Sequence, residues 1–176
     1  PAPPAPNPGI VAIGEDLHGK ICVLDQSGQL ERVDDGSVLV PDDQISDPSP
    51  FLLFAARPSG GFALARNGML STLGDQGLQS VKLADHPGDT GIYGMAASRK
   101  GGLWLIAEGQ VRRWQAGRWV ETRGQTPWNA TMAATAVTEL HNGALAVGTL
   151  GAGLYLLFEG RPPSHFDRTN GLPHDR

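Results

Sequence analysis

Five histidines and one cysteine are the residues of this chain that could ligate a metal or act as nucleophiles. The histidines are His18, His86, His141, His165 and His174. No two of them have the spacing of a known zinc-binding motif, and no Gly-x-Ser-x-Gly elbow is present. Cys22 lies within an apolar run, where a free thiol usually packs as a small apolar group. The sequence therefore predicts no catalytic residue, no metal site and no cofactor.

Two other patterns are similar to functional motifs but have simpler explanations. The acidic pairs Asp34-Asp35 and Asp42-Asp43 stand in turn-rich segments, where solvated loops explain them better than acid–base catalysis. The glycine-rich segment at 148–153 is similar to a phosphate-binding loop, but no helical segment follows whose N-terminus would hold an anion. We interpret this segment as the bend of a hairpin.

Charge argues against a nucleic-acid partner. The chain has 14 basic and 18 acidic residues and a formal net charge of −4, so it offers no broad basic surface. Basic residues do cluster once, and the members of that cluster are Arg112, Arg113, Arg118 and Arg123. We favour a solvated outer strand face for these arginines, and the alternative is a surface for an anionic ligand or partner.

A short turn-and-strand unit returns four times along the chain and must set the positions of all these side chains. Each copy is a glycine turn followed by an apolar run, at 18–23, 60–65, 101–106 and 142–147. The anchoring glycines are Gly19, Gly61, Gly102 and Gly143, at intervals of about 41 residues. A period of roughly 40 to 45 residues with several strands per unit is typical of β-propeller blades. We therefore predict an all-β protein with four consecutive four-stranded propeller blades.

Each repeat divides into four predicted strands whose compositions suit different places in a blade. The first strands are predicted at 10–14, 52–56, 93–97 and 134–138. They are rich in glycine and alanine, as expected where inner strands crowd around a narrow channel. The second strands are almost continuously apolar, as expected where both faces pack on neighbouring blades. Three tryptophans in strand runs are expected in the core: Trp104, Trp114 and Trp119.

Turn-rich connectors separate the blades. We place the blades at about 10–47, 48–90, 91–130 and 131–176, after a proline-rich arm or linker at 1–9. No apolar stretch approaches the ~18 residues needed to cross a bilayer, so we predict no membrane insertion by this segment. An open arc of four blades exposes one apolar sheet face at each end. We therefore expect a piece of a longer polypeptide and an arc of a larger propeller of the seven-bladed type, rather than a closed four-blade ring.

The fourth repeat carries the most specific motif of the chain. A strand that ends with an acidic residue leads through a glycine turn to an apolar strand ending in Gly148-Thr149. Gly153-Leu154-Tyr155 and a closing Asn170-Gly171-Leu172-Pro173 follow. In this order of elements the chain resembles the two-component regulator propeller repeat family, found in extracytoplasmic sensor regions of bacterial membrane receptors. The resemblance implies a sensor ectodomain ahead of a membrane span and a kinase, cyclase or similar output.

A ligand of a propeller usually meets the face where inter-blade connectors and the turns between second and third strands converge. The candidate ligand-binding residues on that face are Arg66, His86, Asp89, Glu108, Trp128 and Asn129. Trp128 is suited to stack on a saccharide or another small molecule. The alternative, which we favour, is that Trp128 wedges between blades.

Three functions fit these observations. We favour a non-catalytic sensory segment of a two-component or other transmembrane receptor, in the periplasm or outside the cell. Its partners would be an unknown ligand or protein and the remaining blades of the same receptor. The alternatives are a propeller scaffold for protein–protein interaction without a small ligand, and a propeller enzyme of the lyase or glycosidase type.

Overall fold

A computed structural model describes residues 9–16, 18–40, 53–56, 62–66, 69–74, 77–83, 91–129 and 132–175. Sixteen β-strands and no helix are found in this part of the chain. Blade one contains β1 (Ile10–Glu15), β2 (Ile21–Asp25), β3 (Leu30–Arg32) and β4 (Val38–Val40). Blade two contains β5 (Leu53–Ala56), β6 (Phe62–Arg66), β7 (Met69–Gly74) and β8 (Gly77–Val81). Residues 1–8 of the predicted proline-rich arm lie outside the described residues.

Blades three and four repeat the same plan. Blade three contains β9 (Ile92–Ala97), β10 (Leu103–Ala107), β11 (Gln110–Gln115) and β12 (Arg118–Gln125). Blade four contains β13 (Ala134–Glu139), β14 (Leu145–Thr149), β15 (Leu154–Leu157) and β16 (Ser164–Phe166). In every sheet the four strands are antiparallel neighbours in sequence order. The predicted all-β fold of four consecutive propeller blades is therefore confirmed, and the glycine-rich segment at 148–153 contains the bend between β14 and β15.

The hydrophobic core consists of three clusters, one at each contact between successive blades. One cluster joins blades one and two, a second joins blades two and three, and a third joins blades three and four. Strand β10 shows how one strand serves two interfaces. Leu103 and Leu105 belong to the cluster shared with blade two, whereas Trp104 and Ile106 belong to the cluster shared with blade four. Because successive side chains of a strand point to opposite faces, a continuously apolar strand is what two packed faces require.

The inner strands are as crowded as their composition predicts. A Cβ added at Gly14 on β1 would stand 2.6 Å from Phe62 of blade two. A Cβ at Gly94 on β9 would stand 2.9 Å from Val137 of blade four. Neither distance occurs for real Cβ contacts, so glycine at these positions lets neighbouring blades approach closely.

The side of blade one that faces away from blade two is apolar and exposed. Ile13, Ile21, Val33 and Val38 are all at least about half exposed on this blade. Blade one therefore ends the row of described blades with an uncovered apolar sheet face. Among the described residues there is no helix long and apolar enough to cross a membrane.

Candidate functional site

Each blade has two ends, which we name by their turns. The connector end carries the turn between the second and third strands together with the inter-blade connectors. The anchor end carries the glycine turn between the first and second strands and the turn between the third and fourth strands. The candidate ligand-binding residues were predicted at the connector end.

Three of the six predicted ligand-binding residues lie at the connector end of blade three. Glu108 occupies the β10–β11 turn with a φ of 54° and pairs with Arg112 at 3.2 Å. Thr126 N donates to Gly109 O at 2.7 Å and so ties this turn to the connector that carries Trp128 and Asn129. Arg66 ends β6, and its side chain lies outside the described part of the chain, as do His86 and Asp89.

Trp128 lies between two blades. It is 7% exposed and belongs to the apolar cluster shared by blades three and four. Its ring lies 5.1 Å from the ring of Tyr155 on β15. Burial also raises the pKa of the Tyr155 phenol above its ordinary value of 10.0. A ring packed in this way has little surface left on which a sugar could stack. This packing is the one expected if Trp128 wedges between blades.

A polar concavity of the described structure lies at the anchor end, opposite the predicted face. A cleft of about 500 Å³ opens between blades three and four. Its walls come from the β9–β10 turn, the β13–β14 turn, the β15–β16 turn and one residue of β12. The lining residues that carry charge are Arg99, Lys100, Arg123, Glu139, Glu159 and Arg161. We refer to this site as the anchor cleft.

Arg123 lies at the centre of the anchor cleft, and its side chain is only 2% exposed. Its Nη2 lies 2.9 Å from Glu121 Oε1 and donates to Gly143 O at 3.2 Å, and Nη1 lies 3.3 Å from Glu159 Oε2. The guanidinium also lies 4.9 Å from the ring centre of Trp104. Nε is buried and has no hydrogen-bond partner among the described residues. Arg123 of blade three is thus a desolvated cation that contacts residues of blade four.

Two glutamates hold the walls of the anchor cleft in place. Glu121 Oε2 accepts a hydrogen bond from Arg113 Nε at 3.0 Å and lies 3.7 Å from Lys100 Nζ. Glu139 Oε2 accepts from Arg99 N at 2.8 Å and from Trp104 Nε1 at 3.0 Å. These contacts fix the glycine turn of blade three against the first strand of blade four.

Three further cations stand around the opening. The side chains of Arg99 and Arg161 have no ionic partner among the described residues, and Arg161 lies 3.7 Å from the ring centre of Phe158. Lys100 Nζ is 3.9 Å from Glu159 Oε2, and the Glu159 side chain is 70% exposed. The lining therefore contains four cations and two carboxylates, an excess of positive charge in a chain that is acidic as a whole.

Sequence reasoning found one member of this site and misjudged its surroundings. Arg123 was grouped with three other arginines as a solvated outer face, but Arg113 and Arg123 are buried in ion pairs. Trp114 and Trp119 were expected in the core and are only partly buried there, and Arg112 lies over Trp119 at 4.1 Å. The available signal for the cleft was positional, since Arg99-Lys100 and His141-Asn142 precede equivalent glycine turns in successive repeats.

A second cavity, of about 280 Å³, lies between the inner strands of the four blades. Its lining includes Val11, Leu53, Met95 and Val137 and contains no titratable side chain. The cavity corresponds to the narrow channel expected from the small residues of the first strands. No group of three or more histidine, cysteine, aspartate or glutamate residues able to hold a metal occurs in the described ranges.

Comparison with known proteins identifies the fold but no family. No protein-family model and no curated protein matches the sequence. Among solved structures, virginiamycin B lyase from Staphylococcus aureus superposes with a TM-score of 0.66 and 18% identity. The match covers 93% of this chain and 57% of the lyase chain. This chain therefore spans little more than half the length of the lyase.

Two other solved structures share the arrangement. The extracellular domain of a candidate hybrid two-component system from Bacteroides thetaiotaomicron gives a TM-score of 0.68 at 12% identity, over 99% of this chain and 25% of that one. A structure described as YCF48 bound to D1 peptide gives 0.60 at 15% identity, over 94% and 55%. At such low identities these likenesses establish the propeller fold alone.

Proposed function

We propose that this chain is a non-catalytic, ligand-sensing propeller segment from the extracytoplasmic part of a bacterial transmembrane receptor. The anchor cleft is the observation that carries the proposal, because it joins an open volume to a buried arginine and a basic rim. Convergent polar groups around a concave volume are typical of small-molecule sites. They favour a ligand sensor over a propeller that serves only as a scaffold.

Two further observations support a receptor as the parent protein. The fourth repeat keeps the motif order of the two-component regulator propeller family. The fold is also that of the extracellular domain of a candidate hybrid two-component system, matched over 99% of this chain. The exposed apolar face of blade one would then pack against a further blade of the same receptor, as propeller blades do along a ring.

The gene around this segment tests the proposal. We expect it to encode further blades, a membrane span and a histidine kinase, diguanylate cyclase or related output. In membranes that contain the full-length receptor, a ligand of the propeller should change the output activity. A gene with no membrane span and no output domain would contradict the proposed function.

A lyase is the second candidate, because three lyase structures share the fold at TM-scores of 0.66 to 0.67. One of those structures contains quinupristin. Incubation of this chain with quinupristin, followed by liquid chromatography and mass spectrometry, separates the candidates. We expect the compound to remain unchanged, whereas enzyme-dependent conversion that grows with time would replace the sensor proposal by the enzyme.

A further inference from the structure

We infer that the anchor cleft is the recognition site for a small molecule that carries acidic oxyanion groups, such as carboxylates or phosphates. The inference deepens the proposed sensory function and rests on it for the biological meaning of the site. The ligand would then bind at the anchor end, whereas propeller ligands usually bind at the connector end.

The first argument is the state of Arg123. Its guanidinium is withdrawn from water. Nη2 is held by Glu121 and Gly143 O, whereas Nε has no hydrogen-bond partner among the described residues and Nη1 faces a carboxylate that is mostly in solvent. An arginine fork matches the two oxygens of a carboxylate or phosphate group. Because the surroundings are desolvated, a hydrogen bond from this group to an anion is stronger than it would be at an open surface.

The second argument is the behaviour expected of Glu159. Its carboxylate lies 3.3 Å from Arg123 Nη1 and 3.9 Å from Lys100 Nζ, while 70% of the side chain is exposed. The Glu159 end of this pair is exposed, and Arg123 keeps Glu121 at 2.9 Å as a partner, so the Glu159 carboxylate can return to water at small cost. An incoming oxyanion that takes its place would face Arg123 and Lys100 together. Glu159 therefore stands where an acidic group of the ligand would bind.

The third argument concerns the remaining cations and the size of the cleft. Arg99 and Arg161 line the same opening, and neither has an ionic partner among the described residues. A volume of about 500 Å³ accepts a molecule of small-metabolite size. Cations on both sides of the opening favour a ligand with more than one acidic group.

Isothermal titration calorimetry on the chain itself tests the inference, with citrate and inorganic phosphate as probes and glucose as the neutral comparison. The titrations are done near 0.01 M ionic strength, where the screening length is about 30 Å. We expect one or both anions to bind and glucose not to bind. If neither anion binds, either to the wild type or to the Glu159→Gln variant, the inference is overturned.

Three variants separate a built site from a general effect of charge. The double variant Arg99→Gln/Arg161→Gln removes two rim cations and should weaken anion binding about tenfold, equivalent to ~1.4 kcal/mol. Glu159→Gln removes the competing carboxylate and should tighten binding about threefold. Arg168→Gln alters an exposed arginine in the last connector, at the other end of blade four, and should leave binding unchanged. If Arg168→Gln weakens anion binding by as much per charge removed as the rim variant does, the inference is overturned.

The design keeps the two proposals apart. Circular dichroism and melting temperature confirm that each variant is folded before titration. If citrate or phosphate binds as described but no anion alters the output of the full-length receptor, the proposed function fails and the site remains. If the receptor responds to a neutral ligand and the chain binds no anion, the site fails and the sensory function remains.

Discussion

The contact between blades one and two and the contact between blades three and four use equivalent strands but different chemistry. Blades one and two meet through an apolar cluster that includes Leu24, Leu30, Phe62 and Leu73. The ion pairs described in blade one, Lys20 with Asp34 and Arg32 with Asp16, stay within that blade. Blades three and four also share an apolar cluster, but there charged groups cross from one blade to the other.

The difference shows how one repeat can yield both an apolar contact between blades and a charged contact that borders a cleft. Apolar side chains close the space between two sheets because packing improves as the gap disappears. Buried charges cannot close in the same way, since each needs hydrogen-bond partners and therefore holds polar groups and space around it. The anchor cleft lies beside Arg123, where charged groups as well as apolar ones form the contact between two blades.

The largest effect should come from breaking the apolar contact between blades one and two. Phe62 is fully buried and its ring lies 4.9 Å from that of Phe54. Phe62→Ala leaves a cavity that sheet packing cannot fill, so we expect the free energy of unfolding to fall by about 4 kcal/mol. Urea denaturation measures the loss. Tyr93→Ala, at an aromatic residue that is partly exposed, is the control, and an equal loss there would contradict the assignment of this joint.

A somewhat smaller loss should follow when the charged joint is broken. Arg123→Met keeps much of the side-chain volume but removes the cation beside Glu121, which then keeps Arg113 and Lys100 as partners. We expect a loss of about 3 kcal/mol, at the low end for removing one partner of a buried ion pair. Urea denaturation against Arg168→Met, an exposed arginine, gives the comparison. A loss below that of the control would mean that Arg123 does not tie the blades together.

The ion pair between Asp16 and Arg32, which we call the Asp16 clamp, tests how much an ion pair within one blade stabilises the chain. Asp16 is 5% exposed; Oδ1 accepts from His18 N and Lys20 N, and Oδ2 lies 2.7 Å from Arg32 Nη2. Asp16→Asn removes the charge from these hydrogen bonds, and we expect a loss of about 2 kcal/mol in the free energy of unfolding at pH 7. A loss near zero would show that the clamp contributes no stability.

The same clamp gives a pH dependence whose sign follows from its pKa. Burial raises the pKa of Asp16, but hydrogen bonds from Lys20 N, the Arg32 side chain and His18 N outweigh it and hold the pKa below 3.8. A depressed pKa in the folded state gives stability that is complete above the unfolded pKa of about 3.9 and lost as the pH falls through the folded value. The difference between wild type and Asp16→Asn should therefore stay constant from pH 5 to 7 and shrink below about pH 4. Denaturation curves across this range measure it, and a difference that grows on acidification would refute the sign.

The smallest effect is expected on the uncovered face of blade one. Ile13 is 64% exposed in this chain. Ile13→Thr keeps the β-branched shape and should change the free energy of unfolding by less than about 0.5 kcal/mol. Leu24→Thr, on the face of the same blade that meets blade two, is the matched control and should lose several times more. If Ile13→Thr costs as much as its control, the face is covered in the isolated chain.

Sequence patterns predicted the propeller well because short stretches of sequence determine the strands and turns of each blade. Strand β10 was predicted from a continuous apolar run, and all five of its residues are buried. Strand β12 runs from Arg118 to Gln125, and its pairing with β11 contains two register shifts. Irregular pairing of this kind depends on how the strand fits its neighbour, which no period in the sequence reveals.

The candidate site was predicted less well, and the reason is physical. Glu108, Trp128 and Asn129 were predicted as ligand-binding residues from the usual location of propeller ligands, and they lie at the connector end of blade three. Arg123 was assigned to a solvated face because alternation along β12 says nothing about the partner blade. Its burial depends on Glu121 in the same strand and on Gly143 and Glu159 in the next repeat.

By itself the sequence determined the number of blades, the four-strand plan and the crowding of the inner strands, because the repeat period, turn glycines and small residues act locally. Only the tertiary structure decided that the contact between blades three and four opens into a cleft. That outcome depends on charged groups of successive repeats, such as Arg123 and Glu159, which meet only when the blades pack. Electrostatic interactions and desolvation act through space, so their result is fixed when the fold brings those groups together.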